Sequence, residues 1–397
     1  MTAEIAKIPQ NAERRTQNAE RHNYAQNLPV RIAHIIGKMR NGGVEAVVMN
    51  YYRNIDRTKI QYDFIIDEDS SNTHLVSEIE ALGGKVITVP PYQKPFAYHK
   101  ALYQLFTQNH YPLVYSHINT LSVFPLFAAW RAGIPIRVAH SHSTAGKGEF
   151  TRNVMKYTLR KFSRVFATEW CACSRLAGEF QFGKKAMDSG RVLIWPNAMD
   201  VKRFAFDEQR RAELRRSMNL EGKFVIGHTG RFMLQKNHSF LIDTFAALKK
   251  RKPEAVLMLV GDGPLQNMCR EKVNALGLTE DVIFTGSVND TENYYQVMDA
   301  FIFPSFYEGL GMSAVEAQIC GLPVVCSDEL PEEAGICENI KFLPLSMSPA
   351  EWADETLKLC EGCSRHDMSM SAREHSFDIT VHADRMTKWY CTLLGIA

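Results

Sequence analysis

"FPSFYEGLGMSAVEAQICGLPVVCSD", residues 303 to 328, decides how this chain is built. The apolar run "AFIFPS" ends in the turn "FYEGLG", and "MSAVEAQICG" reads as a helix stopped by Gly321 and Pro323. "PVVCSD" opens another apolar run at once. Strand, helix and strand in direct succession make a βαβ unit, with parallel strands covered on both faces. The same stretch carries two carboxylates, Glu308 and Glu316, around the bare backbone of Gly309 and Gly311. If the helix starts early, Glu316 lies about two turns beyond Glu308, so both can address one elongated ligand. An ionised Glu accepts hydrogen bonds and donates none, which suits vicinal sugar hydroxyls. The loop N–H groups suit a phosphate. Glu316 has small and apolar neighbours, so it is expected to be partly buried and to need partners.

The pattern repeats outward. "RIAHII", "YDFIID", "KVITVP", "LVYSHI", "IRVAHSH", "VFATEWCACS" and "RVLIWPNAMD" precede a gap, and "FVIGHTG", "AVLMLVGDG", "VIFTGSV", "DAFIFPS" and "PVVCSD" follow it. These strands are too many for one ordinary doubly wound sheet, so the expectation is α/β, with two tandem Rossmann-like domains facing across a cleft. The polar stretch "PNAMDVKRFAFDEQRRAELRRSMNLEGK" marks the junction, near residues 197 to 222. The division expected is a polar arm over 1–28, an N-terminal domain over 29–200, a C-terminal domain over 201–375 and a closing helix over 376–397.

Composition narrows the class. The chain has 397 residues, 45% hydrophobic and 23% charged, as in soluble globular proteins. A net charge of +2 gives no reason to expect nucleic acid as a partner. No apolar run is long enough for a membrane-spanning helix. The first residues contain "NAER" twice and no apolar core segment, unlike a secretory signal. Nine cysteines, without paired zinc-ribbon spacing, read as reduced thiols in a cytosolic protein.

Further candidates sit just after strands, where open α/β sheets bind ligands. In "VIGHTGRFMLQKNHSFLIDTFAALKK", Arg231 and Lys236 stand between a strand end and a helix start. Cations there oppose the helix dipole unless they serve an anion, which Arg can grip bidentately and Lys as a point charge. In "NGGVEAVVMN", Gly42 and Gly43 open the first helix and permit close backbone approach. In "AHSH", His140 and His142 alternate along a strand end and point to the same side. "DED", residues 67 to 69, is an acidic triplet without supporting metal ligands, and no metal site is assigned to it. "EFTRNVMKYTLRKFSRVF", residues 149 to 166, spaces Arg152, Lys156, Arg160 and Arg164 by four, beside an apolar stripe of Met155, Leu159, Phe162 and Phe166. Such a helix suits an anionic membrane surface, or else it is a domain helix with a buried stripe.

Arg231-x4-Lys236 and Glu308-x7-Glu316, with "VGDGP" and "VIFTGSV" between them, resemble the donor domain of the retaining glycosyltransferases of family 4. "PNAMD" is similar to the family's "PNGxD" junction segment, with Ala198 replacing its usual Gly, and "GGVE" is similar to its N-terminal glycine loop. The nearest flavour is that of bacterial exopolysaccharide and capsule hexosyltransferases. The resemblance implies the GT-B fold and transfer of a hexosyl unit from a nucleoside diphosphate sugar, UDP being favoured, to an acceptor hydroxyl. It implies that Arg231 and Lys236 neutralise the diphosphate, that Glu316 holds the ribose, and that Glu308 with Gly309, Leu310, Gly311 and Met312 holds the sugar. It implies that Gly42 and Gly43 approach the diphosphate from the other domain. It also implies a histidine near the transferred sugar, a role that His140 and His142 both fit; with Glu308 they are the catalytic candidates.

Fixed cations can stabilise the leaving diphosphate without a metal or other cofactor. No carboxylate is placed as a nucleophile, so a front-face route to retention is expected rather than double displacement. The partners expected are the sugar nucleotide and a glycan or lipid-linked acceptor, at the cytoplasmic face of the membrane. Alternatives are a GT-B nucleotide-sugar epimerase, which needs no acceptor, and a non-catalytic member of a transferase complex.

Overall fold

The structure, a computed structural model, describes residues 28–39, 43–68, 73–143 and 150–396. The polar arm up to residue 27, Gly42 and Asp69 lie outside them. The chain forms two units: one reaches Met199 and resumes at Asp378, and the other is Asp200–Phe377.

The first unit has a parallel sheet built from β1 (Val30–Gly37), β2 (Ile60–Asp67), β3 (Lys85–Val89), β4 (Leu113–Ser116), β5 (Ile136–Ser141), β6 (Glu169–Ala172) and β7 (Val192–Ile194). Their order is β3-β2-β1-β4-β5-β6-β7. Alternation divides each strand between two cores. Ile32 and Ile36 enter one cluster, and Ala33 and Ile35 enter the other.

Helix Ile379–Leu394 covers the first of these faces. Asp378 caps it by accepting from the Thr380 N–H at 2.9 Å, and Gly395, at φ 64°, closes it in the left-handed conformation. Its apolar stripe, including Ala383, Met386, Trp389 and Tyr390, lies within the first unit's core. Removing a buried aromatic ring of that kind costs about 3–5 kcal/mol.

The second unit contains β8 (Phe224–Thr229), β9 (Ala255–Val260), β10 (Val282–Gly286), β11 (Ala300–Phe303), β12 (Val324–Ser327) and β13 (Ile340–Leu343). The order is β10-β9-β8-β11-β12-β13, and the pairing is parallel. β9 is buried at every residue, as a central strand covered on both faces must be. β13, "IKFL", was not expected from sequence. It is a four-residue edge strand with Lys341 exposed, so it carries little apolar signal.

The polar stretch after Ala198 is not an open linker. It forms helices Val201–Phe204 and Glu208–Ser217 of the second unit. Arg211 donates to the carbonyls of Gln296 and Met298, each at 2.7 Å, and Arg215 donates to that of Val297 at 2.6 Å. Guanidinium stems and forks anchor this helix where an apolar stripe would otherwise do so.

Candidate functional site

In the second unit the strand order reverses between β8 and β11, which is where open α/β sheets take their ligands. Arg231 and Lys236 follow β8, and Glu308 to Glu316 follow β11. Adjacent strands therefore bring together two loops separated by more than seventy residues of sequence. The Phe306 N–H donates to the Gln235 carbonyl at 2.9 Å, and Gln235 Nε2 donates to the Tyr307 carbonyl at 2.9 Å.

The segment 260–264 shapes the same corner. A Cβ on Gly261, at φ 135°, would meet the Gly230 carbonyl oxygen at 2.3 Å, and one on Gly263 would meet the backbone of Phe232 at 2.7 Å. Only glycine lets this turn press against the loop that carries Arg231.

Lys236 Nζ lies 2.8 Å from Glu308 Oε1, both side chains being largely buried, and 4.4 Å from the centre of the Phe303 ring. Arg231 is exposed and forms no ion pair among the described residues. Gly309 sits in the loop, Leu310 and Gly311 are buried, and Met312 opens the helix Met312–Ile319. Gly311 has φ 81°, and an added Cβ would come within 2.8 Å of Leu330.

Glu316 lies inside that helix and accepts from the Tyr295 hydroxyl at 2.7 Å. Burial raises its carboxyl to about 7, against the Tyr295 hydrogen bond and the fields of Arg203 and Lys236. Arg203 pairs with Glu292 at 2.8 Å. Neither Tyr295 nor Arg203 stood out in the sequence. Arg203 lies five residues beyond Ala198, in a stretch read only as a junction.

In the first unit the order reverses between β1 and β4. Gly43 begins helix Gly43–Asn54 and is exposed, and an added Cβ there would meet nothing within 4 Å. The glycine leaves open space rather than relieving a packing clash. His140 on β5 and His142 just beyond it do share a side, their rings stacked 3.9 Å apart at 18°.

Two further histidines join them. His117 follows β4 and His34 lies on β1, with His34 Nδ1 2.9 Å from His117 Nε2 and His117 Nδ1 3.0 Å from His142 Nε2. His140 Nδ1 instead meets the Tyr115 hydroxyl at 3.0 Å. Burial pushes all four imidazoles far below their ordinary range, His142 to about 3, so the cluster is neutral. Sequence reading passed over His117, although "LVYSHI" places it at a strand end just as "IRVAHSH" places His142. His34 lies mid-strand and carries no such signal.

Of the acidic triplet, Asp67 and Glu68 are described and Asp69 is not. Asp67 is buried at the end of β2, and Glu68 pairs with Lys94 at 3.2 Å. Ala198 is buried and is not among the residues with positive φ, so its replacement of glycine imposes no left-handed strain.

Two doubly wound units, each presenting its candidate groups where its strand order reverses, define the GT-B class. Residues 41–203 match the family described as Glycosyltransferase Family 4, and residues 210–375 match Glycosyl transferases group 1. The chain is 34% identical to the putative glycosyltransferase EpsF of Bacillus subtilis (strain 168), over 82% of this chain and 86% of the relative. It is 23% identical to the capsular polysaccharide biosynthesis glycosyltransferase CapH of Staphylococcus aureus, over 91% and 98%. The crystal structure of Anabaena Alr3699/HepE in complex with UDP-glucose shares its fold, with a TM-score of 0.71 at 19% identity, over 91% and 99%. The chain belongs to glycosyltransferase family 4 and is a glycosyltransferase.

Proposed function

We propose that this glycosyltransferase moves a hexosyl unit from a UDP-sugar to a hydroxyl of a lipid-linked glycan, with retention and without a metal ion, in exopolysaccharide or capsule synthesis. The observation that carries this reading is the Lys236–Glu308 pair at the strand-order reversal of the second unit, with Arg231 and Glu316 on the segments that follow the same two strands. A diphosphate brings negative charge to Arg231 and Lys236, releasing Lys236 from Glu308 and freeing that carboxylate for sugar hydroxyls. Glu316, once ionised, accepts from the ribose hydroxyls. Helix N–H groups at 311–312 add positive potential. Among the first unit's groups, Gly43 leaves room for the diphosphate, and His142 serves the transferred sugar. UDP and UDP-sugar as ligand and donor are supported by the neighbour crystallised with UDP-glucose, and the pathway by the capsular relative.

Two fixed cations supply charge stabilisation for the leaving group, and the leaving phosphate takes the acceptor proton on the same face. Incubation with a panel of nucleotide sugars in the presence of EDTA, with the product anomer read by NMR, tests donor, metal use and stereochemistry together. Consumption only when Mg²⁺ or Mn²⁺ is present, an inverted product, or isomerised donor without transfer would each refute the corresponding part.

The lipid-linked acceptor rests on the helix Phe150–Leu159 and the turns after it. Val154, Met155, Tyr157, Phe162 and Val165 are exposed beside Lys156, Lys161 and Arg164. Only part of the expected stripe is buried, Phe166 packing on the core. No helix of the described residues is long and apolar enough to cross a membrane; the exposed apolar side chains beside cations are what support a peripheral place on the cytoplasmic face. Flotation with anionic liposomes checks this. Replacing Lys156, Lys161 and Arg164 with Glu is expected to abolish co-flotation, since each cation near lipid contributes about 1 kcal/mol.

A further inference from the structure

The histidines form an ordered chain, and its polarity has a functional consequence. β1, β4 and β5 are neighbours in the sheet, so His34, His117 and His142 lie across three adjacent strands. The ring planes of His34 and His117 differ by 15°, with centres 5.2 Å apart. Those of His117 and His142 differ by 35°, with centres 5.3 Å apart. Each pair is therefore set edge to edge, as an in-plane N–H···N bond requires.

A ligand set for a metal is the competing arrangement. Ring nitrogens of His117, His140 and His142 do lie within 4.8 Å of one another. An imidazole lone pair lies in its ring plane, however, and the His140 and His142 planes are stacked 3.9 Å apart. Their lone pairs run side by side instead of converging on one ion.

A neutral imidazole has one N–H and one bare nitrogen. Two hydrogen bonds in series then allow two patterns. Either every ring donates outward, leaving N–H on His142 Nδ1, or every ring donates inward, leaving N–H on His34 Nε2. The inner nitrogen is buried without a partner, and His34 lines a cavity of about 10 Å³ together with His117, His140, His142 and Tyr62. A space of that size is at or below the least that holds a water. A sealed N–H is the rarer and costlier orphan, whereas His142, 7% exposed against 1% for His34, is the outer end.

We infer that His34 and His117 are positioning residues that hold His142 as the Nδ1–H tautomer, so that His142 donates a hydrogen bond to an oxygen lone pair of the bound sugar nucleotide and does not act as a general base. The inference rests on the proposed function for its ligand, while the tautomer itself is a property of the free protein. The oxygen belongs either to the phosphates or to the sugar.

Imidazole ¹⁵N spectra of the full chain, labelled at histidine and assigned by single substitutions, read the tautomer directly. The expected result is protonated Nδ1 on His34, His117 and His142. Adding UDP alone and then UDP-glucose separates the two oxygens: a His142 Nδ1–H shift with UDP assigns phosphate, and one that needs UDP-glucose assigns sugar. His34→Leu removes the inner donor, and His142 is expected to lose its single tautomer while kcat falls on the order of tenfold at unchanged donor KM. His34→Asn restores an N–H at the Nδ1 position and is expected to recover both. Protonated Nε2 on His142 in the parent protein, an unchanged His142 spectrum in His34→Leu, or uptake of one Zn²⁺ that moves all three rings would overturn the inference whatever the activities. The expected tautomers combined with full transfer by His142→Ala would instead sink the functional reading, and the donor role with it.

Discussion

The two units reverse their strand order in the same way, yet they put opposite electrostatics at the reversal. In the second unit the loops after β8 and β11 gather charge: Lys236 against Glu308, Arg231 in the open, and Glu316 held near neutrality by burial. In the first unit the neighbouring strands β1, β4 and β5 gather neutral rings that bond to one another. Topology thus chooses where a ligand is met, while burial and partner choice decide how. On the proposed reading, the charged corner takes the nucleotide diphosphate.

The largest effect should come from breaking the charged corner. Arg231→Ala with Lys236→Met is expected to lower kcat by at least about 10³-fold and to weaken UDP binding measured by calorimetry, because each lost donor to developing charge costs about 10²–10³. Lys236→Met alone also strands the Glu308 carboxylate. Lys236→Met/Glu308→Gln separates the two contributions, since in ligand-free protein the double variant should be more stable than the single one. If UDP affinity survives the loss of both cations, the contrast between the units has no functional content.

That contrast was only half visible in the residues. Charged groups at strand ends advertise themselves: Arg231, Lys236, Glu308 and Glu316 are conspicuous because cations at helix starts and carboxylates among alanines need reasons. The first unit's cluster depends on which strands are neighbours. His34 reads as one polar residue inside an apolar strand until the β1-β4-β5 order places it beside His117. The alternation that puts His140 and His142 on one side was legible, but the face partners were not. The helices of 201–217 were hidden for a related reason, because carbonyl acceptors on the 296–298 backbone cannot be read from a string of arginines.

Glu316 sharpens the comparison through pH. Its folded carboxyl, raised from 4.5 to about 7, holds its proton more tightly than the unfolded one. Its contribution to stability is therefore full below about 4.5 and is lost as pH rises through about 7. Ribose hydroxyls need the ionised form, so UDP affinity should climb up to tenfold per pH unit below 7 and level off above it. The phosphate of UDP titrates nearby, so the difference from Glu316→Gln isolates the residue. That variant should flatten the profile and gain stability relative to the parent above pH 7, as read by thermal unfolding. Parallel profiles in binding would remove Glu316 from the nucleotide site. The first unit's imidazoles, neutral across this range, should contribute no such slope.

Backbone demands give the smallest test. In the second unit Gly261 is required, because a Cβ would strike the Gly230 carbonyl at 2.3 Å; Gly261→Ala should displace the Arg231 loop and weaken UDP binding. Ala198, at the end of the first unit, stands where the resemblance to family 4 implies a glycine, and the opposite substitution asks whether it is strained. Its φ is not positive, its methyl is buried in the first unit's core, and its carbonyl accepts from Asn50 Nδ2 at 3.2 Å. Ala198→Gly should therefore destabilise the chain, by about 0.5–1 kcal/mol through added freedom in the unfolded state, with UDP affinity unchanged. A gain in stability by denaturant titration would mean that the residue is held in a conformation fit only for glycine, and that the first unit stores strain at its end where the second spends glycines to avoid it.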